Sequence, residues 1–551
     1  MEAVNPQKKD KTTLQQKKNN MKKAMRFLMM MAIALTSASV TTSCSDDDET
    51  VTLSKFTIDP TATTLTPGET LNVNVQFFPE NVEDKTVEWT SSDNEVATVA
   101  NGVVTAIKPG SATITATPAA MPSLAKTLSV SVTAKAMTVS GEVSGTWDAY
   151  TTVTVSGQLK VPAGKSLTIE EGVEVIFNSA DANGTGIEFT VDGNIYCKGT
   201  ADAPILFSVP TNERKFSNVT DCKNLWGGFM LNSSDAQAEA LFENCIIEYA
   251  GSAMTENSPS VISGIYTAGE DYGVQITTGP NFQGSLVVTG CVIRNGFADG
   301  IYMQGGQAII TNNTFSGNGA TGGEAVNVKA GTSTVVAYNV MYSPNTNGLK
   351  LSSSGQDDAA GRGQAKCVAY NNTIINAGWR RDGTKGGCIY VEKNILVNVF
   401  NNLMVNCKYR AQVPKWGTPG ISDGCDDKSV IDYNCYAASA ITSTLQQDID
   451  DETTVPYLNY VSNKNYADAI DAHSVIAKGA NDLGVAFANY ALDTNRLDNA
   501  VYDEAWDFTA KSLPEGATDG ASLTSIVKTS LTVGGKTYAA DAPQKFFGAR
   551  K

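Results

Sequence analysis

Lys329 and Lys350 fall on the same outward side of two neighbouring strand-like segments, Val326-Asn327-Val328-Lys329 and Leu349-Lys350-Leu351-Ser352. Two amines held near each other depress each other's proton affinity, which is what a base working near neutral pH requires. Arg380, Arg381 and Asp382 leave the loop that enters the next segment of this kind, Ile389-Tyr390-Val391-Glu392. Base and cation together suit β-elimination from a uronate: the base takes the proton α to the carboxylate while the cation holds its charge. Lys350, Lys329 and Arg380 are the candidate catalytic set for that chemistry. Asp357 and Asp358, or Asp426 and Asp427, offer places for a Ca2+ ion under it. Under any other reading no cofactor and no metal site is expected.

The same face supports a second chemistry. Tyr302, Asn327, Lys350 and Tyr390 form one stripe, with Gln304, Lys329, Ser352 and Glu392 beside it. Aromatic rings among amides and charges suit stacking and hydrogen bonding to sugars. Trp379 and Trp416 sit in the longest loops, where they would wall such a groove, so Tyr302, Asn327, Lys350, Tyr390, Trp379 and Trp416 are the candidate ligand-binding residues. The plain alternative is a polar, solvated face with no ligand.

Several chemistries drop out. His473 is the single histidine, and nothing near it has the spacing of a Ser-His-Asp or Cys-His pair or of a zinc site, so it reads as structural. No P-loop or dinucleotide fingerprint occurs. Beyond Cys44 there are nine cysteines, an odd number with no C-x-x-C spacing, which read mostly as small buried hydrophobes. The formal charge is -16; residues 1–43 carry eight basic side chains against two acidic ones, so losing them would take it to -22. So acidic a surface argues against nucleic acid as a partner.

The elements that must position these residues repeat. Seven segments share one frame: Asn244-Cys245-Ile246, Gly290-Cys291-Val292, Asn312-Asn313-Thr314, Tyr338-Asn339-Val340, Asn371-Asn372-Thr373, Asn401-Asn402-Leu403 and Tyr433-Asn434-Cys435. In five of them the central residue is Asn, which tolerates a sharp left-handed corner and can bond to its equivalent one coil away. Before each corner runs a strand whose apolar members alternate, from Val274-Gln275-Ile276-Thr277 and Ile301-Tyr302-Met303-Gln304 onward. Asn345 falls between such strands and reads as a loop residue. Fixed strands with variable loops predict a parallel β-helix with an asparagine ladder. It is expected over 136–440. Residues 441–551 read as irregular final coils and a cap over the open end, with some helix expected at 464–500.

Upstream, residues 51–135 alternate with period two through short strands, and Asn101-Gly102 is a hairpin turn between two of them. The motifs Trp89-Thr90-Ser91-Ser92, Val96-Ala97-Thr98-Val99 and Gly110-Ser111-Ala112-Thr113-Ile114 make this stretch resemble the group 2 bacterial immunoglobulin-like domain. Such domains serve as spacers or adhesive modules, and the spacer role is the expectation. From about 145 to 251, short strands punctuated by Gly, such as Gly199-Thr200-Ala201-Asp202-Ala203-Pro204-Ile205, resemble the N-terminal coils of exported bacterial right-handed β-helix proteins of the pectate-lyase-like superfamily. The pectin-acting glycosidases of that fold need a Gly-His-Gly motif, which is absent. The overall expectation is an all-β chain: an Ig-like sandwich, then a right-handed parallel β-helix solenoid with an irregular C-terminal cap.

The N-terminus speaks to location. Lys22, Lys23 and Arg26 precede an apolar run from Phe27 to Leu35, too short to span a bilayer. Thr41-Thr42-Ser43-Cys44 then reads as a loose lipobox, and residues 1–20 as a start-site overcall or disordered leader. Ser45-Asp46-Asp47-Asp48-Glu49 resembles the acidic tag of surface-exposed lipoproteins in the Bacteroidota. The expectation is a leader and signal peptide over 1–43, lipidation at Cys44, an acidic tether over 44–50, and an outer-membrane anchor through lipid alone. The expected function is binding or organising extracellular glycan; the alternatives are a uronate-polysaccharide lyase and a purely structural adhesin or spacer.

Overall fold

The computed structural model of the chain describes residues 51–356, 361–382, 386–409, 411, 425–437, 446–447, 454–455, 472–477, 485–491 and 499–551. Cys44 and the whole leader, Asp357, Asp358 and Trp416 lie outside the described residues, as does most of 441–500. The parts of 464–500 that are described as regular structure, Val475–Ala477 and Ala486–Asn489, are strand. No helix among the described residues is long and apolar enough to cross a membrane.

The first unit is the expected sandwich. One sheet runs Ala62–Leu65, Lys126–Val132, Gly110–Pro118, Val87–Ser91; another runs Thr70–Asn72, Val103–Ala106, Ala97–Ala100. Alternation sends Phe56, Val104, Ile114 and Leu128 into a common core, each with no exposure. Asn101 and Gly102 both take positive φ, 50° and 78°, as the two-residue turn between Ala97–Ala100 and Val103–Ala106 demands.

From Lys135 the chain coils into a solenoid of parallel strands with three faces. Face A stacks Glu188–Val191, Gly228–Leu231, Ile276–Thr278, Ile301–Met303, Val326–Val328, Asn347–Ser352 and Gly387–Glu392. Face B includes Glu239–Glu243, Ser285–Thr289, Gly306–Thr311, Thr332–Ala337, Lys366–Tyr370 and Leu396–Phe400. Face C includes Cys245–Glu248, Val292–Arg294, Thr314–Ser316, Val340–Tyr342, Thr373–Ile375, Leu403–Val405 and Cys435–Ala437. The interior is filled by columns of like residues, among them Ile276, Ile301, Val326, Leu349 and Ile389, all fully buried. The nine described cysteines are all buried, and none of them forms a disulfide among the described residues.

The ladder is present, but with a division of labour the sequence reading missed. The Asn of each frame does not itself take the left-handed turn. The residue before it does: Asn312, Tyr338, Asn371, Asn401 and Tyr433 have φ between 49° and 59°. The ladder residues are thereby free to point inward. Asn313, Asn339, Asn372 and Asn402 each donate Nδ2 to the Oδ1 of the next, at 2.9, 3.0, 2.9 and 3.0 Å, ending on Asn434. Each Oδ1 also accepts the backbone N–H one coil below, so every buried donor at the corner is answered. A second left-handed corner follows five residues later, at Asn295, Gly317, Ser343, Asn376 and Asn406. Face C strands are therefore fixed at three residues across these coils, and length variation is confined to the other connections. Asn345 is another correction: it is 3% exposed and donates Nδ2 to the Gly322 carbonyl at 2.8 Å, so it is a buried tie between loops.

The described C-terminal residues do not simply close the solenoid's end; they run back along its sides. On face B, the hairpin Ser530–Val533/Lys536–Ala539 lays Leu531, Val533 and Tyr538 on Leu241, Val287 and Ile309. Lys536 and Tyr538 both reach Glu243, at 2.8 and 2.7 Å. On face C, Phe487, Phe508 and Phe547 cover Val340, Tyr342, Ile375, Leu403 and Val405. The corner residues Asn371 and Asn401 clasp the tail: their Nδ2 groups donate to Phe546 O (2.7 Å) and Thr518 O (2.7 Å). The outward residues of faces B and C that the tail packs on, such as Leu241, Val287, Val340 and Ile375, are apolar and kept from water by it.

Candidate functional site

Face A is treated differently along its length. The insertion at 251–273 closes its earlier coils. Its short helix Pro259–Ile262 lies over Glu188–Val191, and Ser260 gives both its N–H and its hydroxyl to the Glu188 carboxylate, each at 2.8 Å. Burial pushes Glu188 up to about 7. Tyr266 then bonds to Thr277 through its hydroxyl. Thr277 belongs to an outward row whose register runs Thr277, Tyr302, Asn327, Lys350, Tyr390. From Tyr302 onward the row is less covered: Tyr302, Lys350 and Tyr390 are partly exposed, and the Lys350 side chain keeps 26% of its surface.

The row is held by charge. Lys350 Nζ lies 3.5 Å from Glu392 and 5.7 Å from the Tyr390 ring centroid. Lys329 Nζ lies 5.7 Å from the centroid of Tyr302. Burial, and then the charge of Lys350, hold the Lys329 amine below the ordinary lysine range. The expected depression thus falls on Lys329. Asn327 is 6% exposed, more buried than a stripe of free side chains would have it. Its Nδ2 donates to Asp299 Oδ2 at 2.8 Å, while its Oδ1 meets no partner among the described residues.

Asp299 and Glu324 were not picked out from the sequence. Asp299 Oδ1 accepts the N–H groups of Gly323 and Glu324 at 2.7 and 2.9 Å, which pins the loop before Val326–Val328. Glu324, 4% exposed, has its proton affinity raised by burial first and by the Asp299 charge second. Both residues stand two places before the first residue of their face A strand, so a recurrent acid in that frame was readable. Strand alternation does not extend around a corner, and hence could not say where they point.

Beside Tyr302 lies a cavity of about 180 Å³ lined by Tyr266, Glu270, Asp271, Tyr272, Asp299 and Tyr302, among others. Arg380 is not part of the row. Its guanidinium donates to the carbonyls of Asn318 and Ser343, both at 2.7 Å, and of Gly319. Those bonds make it a clamp between loops and answer donors that a substrate carboxylate would need, which removes it from the candidate catalytic set. Trp379 is fixed by its indole N–H on the Asn406 carbonyl at 2.6 Å. Asp426 accepts from Gln364 at 2.8 Å and from the Lys428 N–H at 2.9 Å, and no cluster of metal-binding side chains occurs among the described residues. His473 lies away from the row, bonded to Asp432 at 2.6 Å and stacked on Tyr433.

Residues 53–130 match the bacterial Ig-like domain (group 2), and residues 269–425 match the right-handed beta helix region. The second match spans the open part of face A. A stretch of 66 residues is 52% identical to a 3-O-alpha-D-galactosyl-alpha-L-arabinofuranosidase of Bifidobacterium longum subsp. longum. That similarity covers 12% of this chain and 6% of the enzyme.

Proposed function

We propose that the protein is a lipid-anchored surface protein whose β-helix binds or organises extracellular polysaccharide along the open stretch of face A. The observation that carries this reading is the contrast between faces. The tail buries apolar rows on B and C, whereas the row from Tyr302 to Tyr390 keeps partly exposed rings and charges in one register. A polar aromatic row on a rigid solenoid matches the repeat of an extended glycan better than it matches a folded partner. The similarity of a 66-residue stretch to part of a 3-O-alpha-D-galactosyl-alpha-L-arabinofuranosidase agrees with such a setting.

Tyr302→Ala and Tyr390→Ala are each expected to weaken retention on a cognate polysaccharide in affinity electrophoresis. A stacked ring contributes about 0.5–1.5 kcal/mol beyond its area, or roughly two- to twelvefold. Thermal unfolding should not change, because neither ring belongs to the interior columns. Unaltered retention in both variants would reject the groove.

The depressed Lys329 amine favours one second reading, β-elimination of a uronate polysaccharide. Under it, Lys329→Ala abolishes unsaturated product while retention survives, since a base acts on the transition state more than on ground-state binding. A purely structural adhesin or spacer would show neither effect.

The anchor is tested separately. Cys44→Ala should release the protein into the soluble fraction, and changing the acidic run 46–49 should leave it lipidated but shielded from protease added to intact cells. A wild-type protein recovered without lipid would refute the anchor.

A further inference from the structure

The insertion at 251–273 is one body tied to face A at few points. Its two ends bond to each other: Gly273 N–H donates to Ser252 O at 2.8 Å, Met254 N–H to Asp271 O at 3.0 Å, and Gly269 N–H to Met254 O at 2.9 Å. Those bonds lie within the insertion and survive if it lifts. Beyond that neck, its hydrogen bonds to the solenoid among the described residues fall at three places. Ser260 donates to Glu188, the Tyr266 hydroxyl meets Thr277, and the Ile265 carbonyl accepts from Gln304 Nε2 at 3.4 Å. Beneath lies Met230. It stands between Thr190 and Thr277 in the face A register, belongs to none of the interior columns, and is fully buried. An outward methionine stays dry only under a cover.

Glu188 is the tie that titrates. The insertion contains no Lys or Arg, only the acids Glu256, Glu270 and Asp271, and Glu188 has no ion pair among the described residues. Tyr266 brings a phenol whose proton burial holds firmly. On the solenoid side Gly227 and Gly228 carry no charge. Gln158 takes the Glu188 N–H at 2.8 Å and stands between it and Asp181. Lys223 lies at the neck, 5.6 Å from the Tyr272 ring centroid. A carboxyl covered in this way keeps its proton up to about 7, whereas in water it ionises in the ordinary carboxyl range. The covered state is therefore favoured at low pH, and that preference is lost progressively until pH passes about 7. Resting on the glycan-binding reading above, we propose that residues 251–273 are a lid, latched by Ser260 on Glu188, that lifts as pH rises and extends the open row of face A back through Thr277 and Met230 to Thr190.

Dilute hydrogen peroxide reads the lid, because a methionine sulfoxide forms only where solvent reaches the sulfur. In the folded protein, Met230 is expected to oxidise about tenfold or more faster at about pH 8 than at about pH 5, followed by peptide mass spectrometry. Met303, in the interior, should stay protected at both. Glu188→Gln keeps an acceptor for the Ser260 N–H and a donor for its hydroxyl but cannot ionise, so Met230 should stay protected throughout. Ser260→Ala removes the hydroxyl bond and should expose Met230 already at the lower pH. A Met230 rate that ignores pH, or that follows pH equally in Glu188→Gln, overturns the lid. Met303 oxidising in step with Met230 overturns it too, since the solenoid itself would then be opening. The groove is read apart from the lid, by affinity electrophoresis on hyaluronan and on polygalacturonate at both pH values. Wild-type retention should be stronger at the higher pH, and Glu188→Gln should lose that difference. A lid that lifts while both proteins change retention alike has no part in the groove. Retention unaltered in both Tyr302→Ala and Tyr390→Ala takes away the glycan reading and leaves the lid.

Discussion

Asn372→Leu is expected to destabilise the solenoid by about 2–5 kcal/mol, because it strands several buried groups at once. Asn372 Oδ1 accepts both the N–H and the Nδ2 of Asn339, each at 3.0 Å. Its own Nδ2 donates to Val336 O and Asn402 Oδ1, at 2.8 and 2.9 Å. Leucine has a similar volume but answers none of these, and no water-filled space lies beside a side chain with no exposure. Asn183→Leu, on an exposed turn, should stay within about 0.5 kcal/mol of the parent. Asn345→Leu should fall between the two, since that side chain is buried but makes a single bond to Gly322 O. Solenoid unfolding need not be a single transition, so the comparison is best read from hydrogen exchange of the Asn339, Asn372 and Asn402 coils. Equal protection in all three variants would show that the ladder contributes nothing.

Phe547→Ala should have an effect of similar size in a different place. The ring is fully buried against the outer side of face C, near Leu403 and Val405, and truncating a buried Phe costs about 3–5 kcal/mol. The loss falls on tail docking and not on the coils. Gly548 N–H to Asn401 O and Ala549 N–H to Thr373 Oγ1, both 2.9 Å, lose the anchor that keeps them in register. Residues 485–551 are therefore expected to become sensitive to protease and to lose amide protection, while ladder amides near Asn313 keep theirs. Exposing Val340, Tyr342 and Ile375 should also make the variant prone to associate through face C. If the tail stays protected, the apolar clasp is not what holds it.

Much of this was legible in the chain itself. Alternation of apolar residues places the row from Tyr302 to Tyr390 on the outward side, since a strand's side-chain period is two wherever the strand is regular. The recurrence of Asn at one frame position implied stacked coils, because amide-to-amide bonding only pays when an identical group sits one coil away. What sequence spacing could not resolve was which residue of the pair turns the corner. Asn312 and Asn313 are chemically alike, and only the observed φ of 59° at Asn312 separates the turn from the ladder.

The details of the candidate site were decided by tertiary structure. Arg380 and Lys329 are both basic residues near the same face, yet one spends its donors on loop carbonyls and the other stays beside the row. Nothing local distinguishes them, because the partners of Arg380 lie 37 and 62 residues away in the chain. Asp299 and Glu324 became a carboxyl pair because successive coils stack the same corner position just before their strands, where alternation carries no information. The tail made the largest difference. Val287 and Ile309, or Val340 and Ile375, look in sequence like further interior positions; they are outward residues kept dry by segments more than a hundred residues downstream. Periodicity states that a side chain faces one of two sides, and long-range packing states which of those sides meets water. For this protein the first fixed the solenoid, and the second left Tyr302, Lys350 and Tyr390 of face A partly exposed.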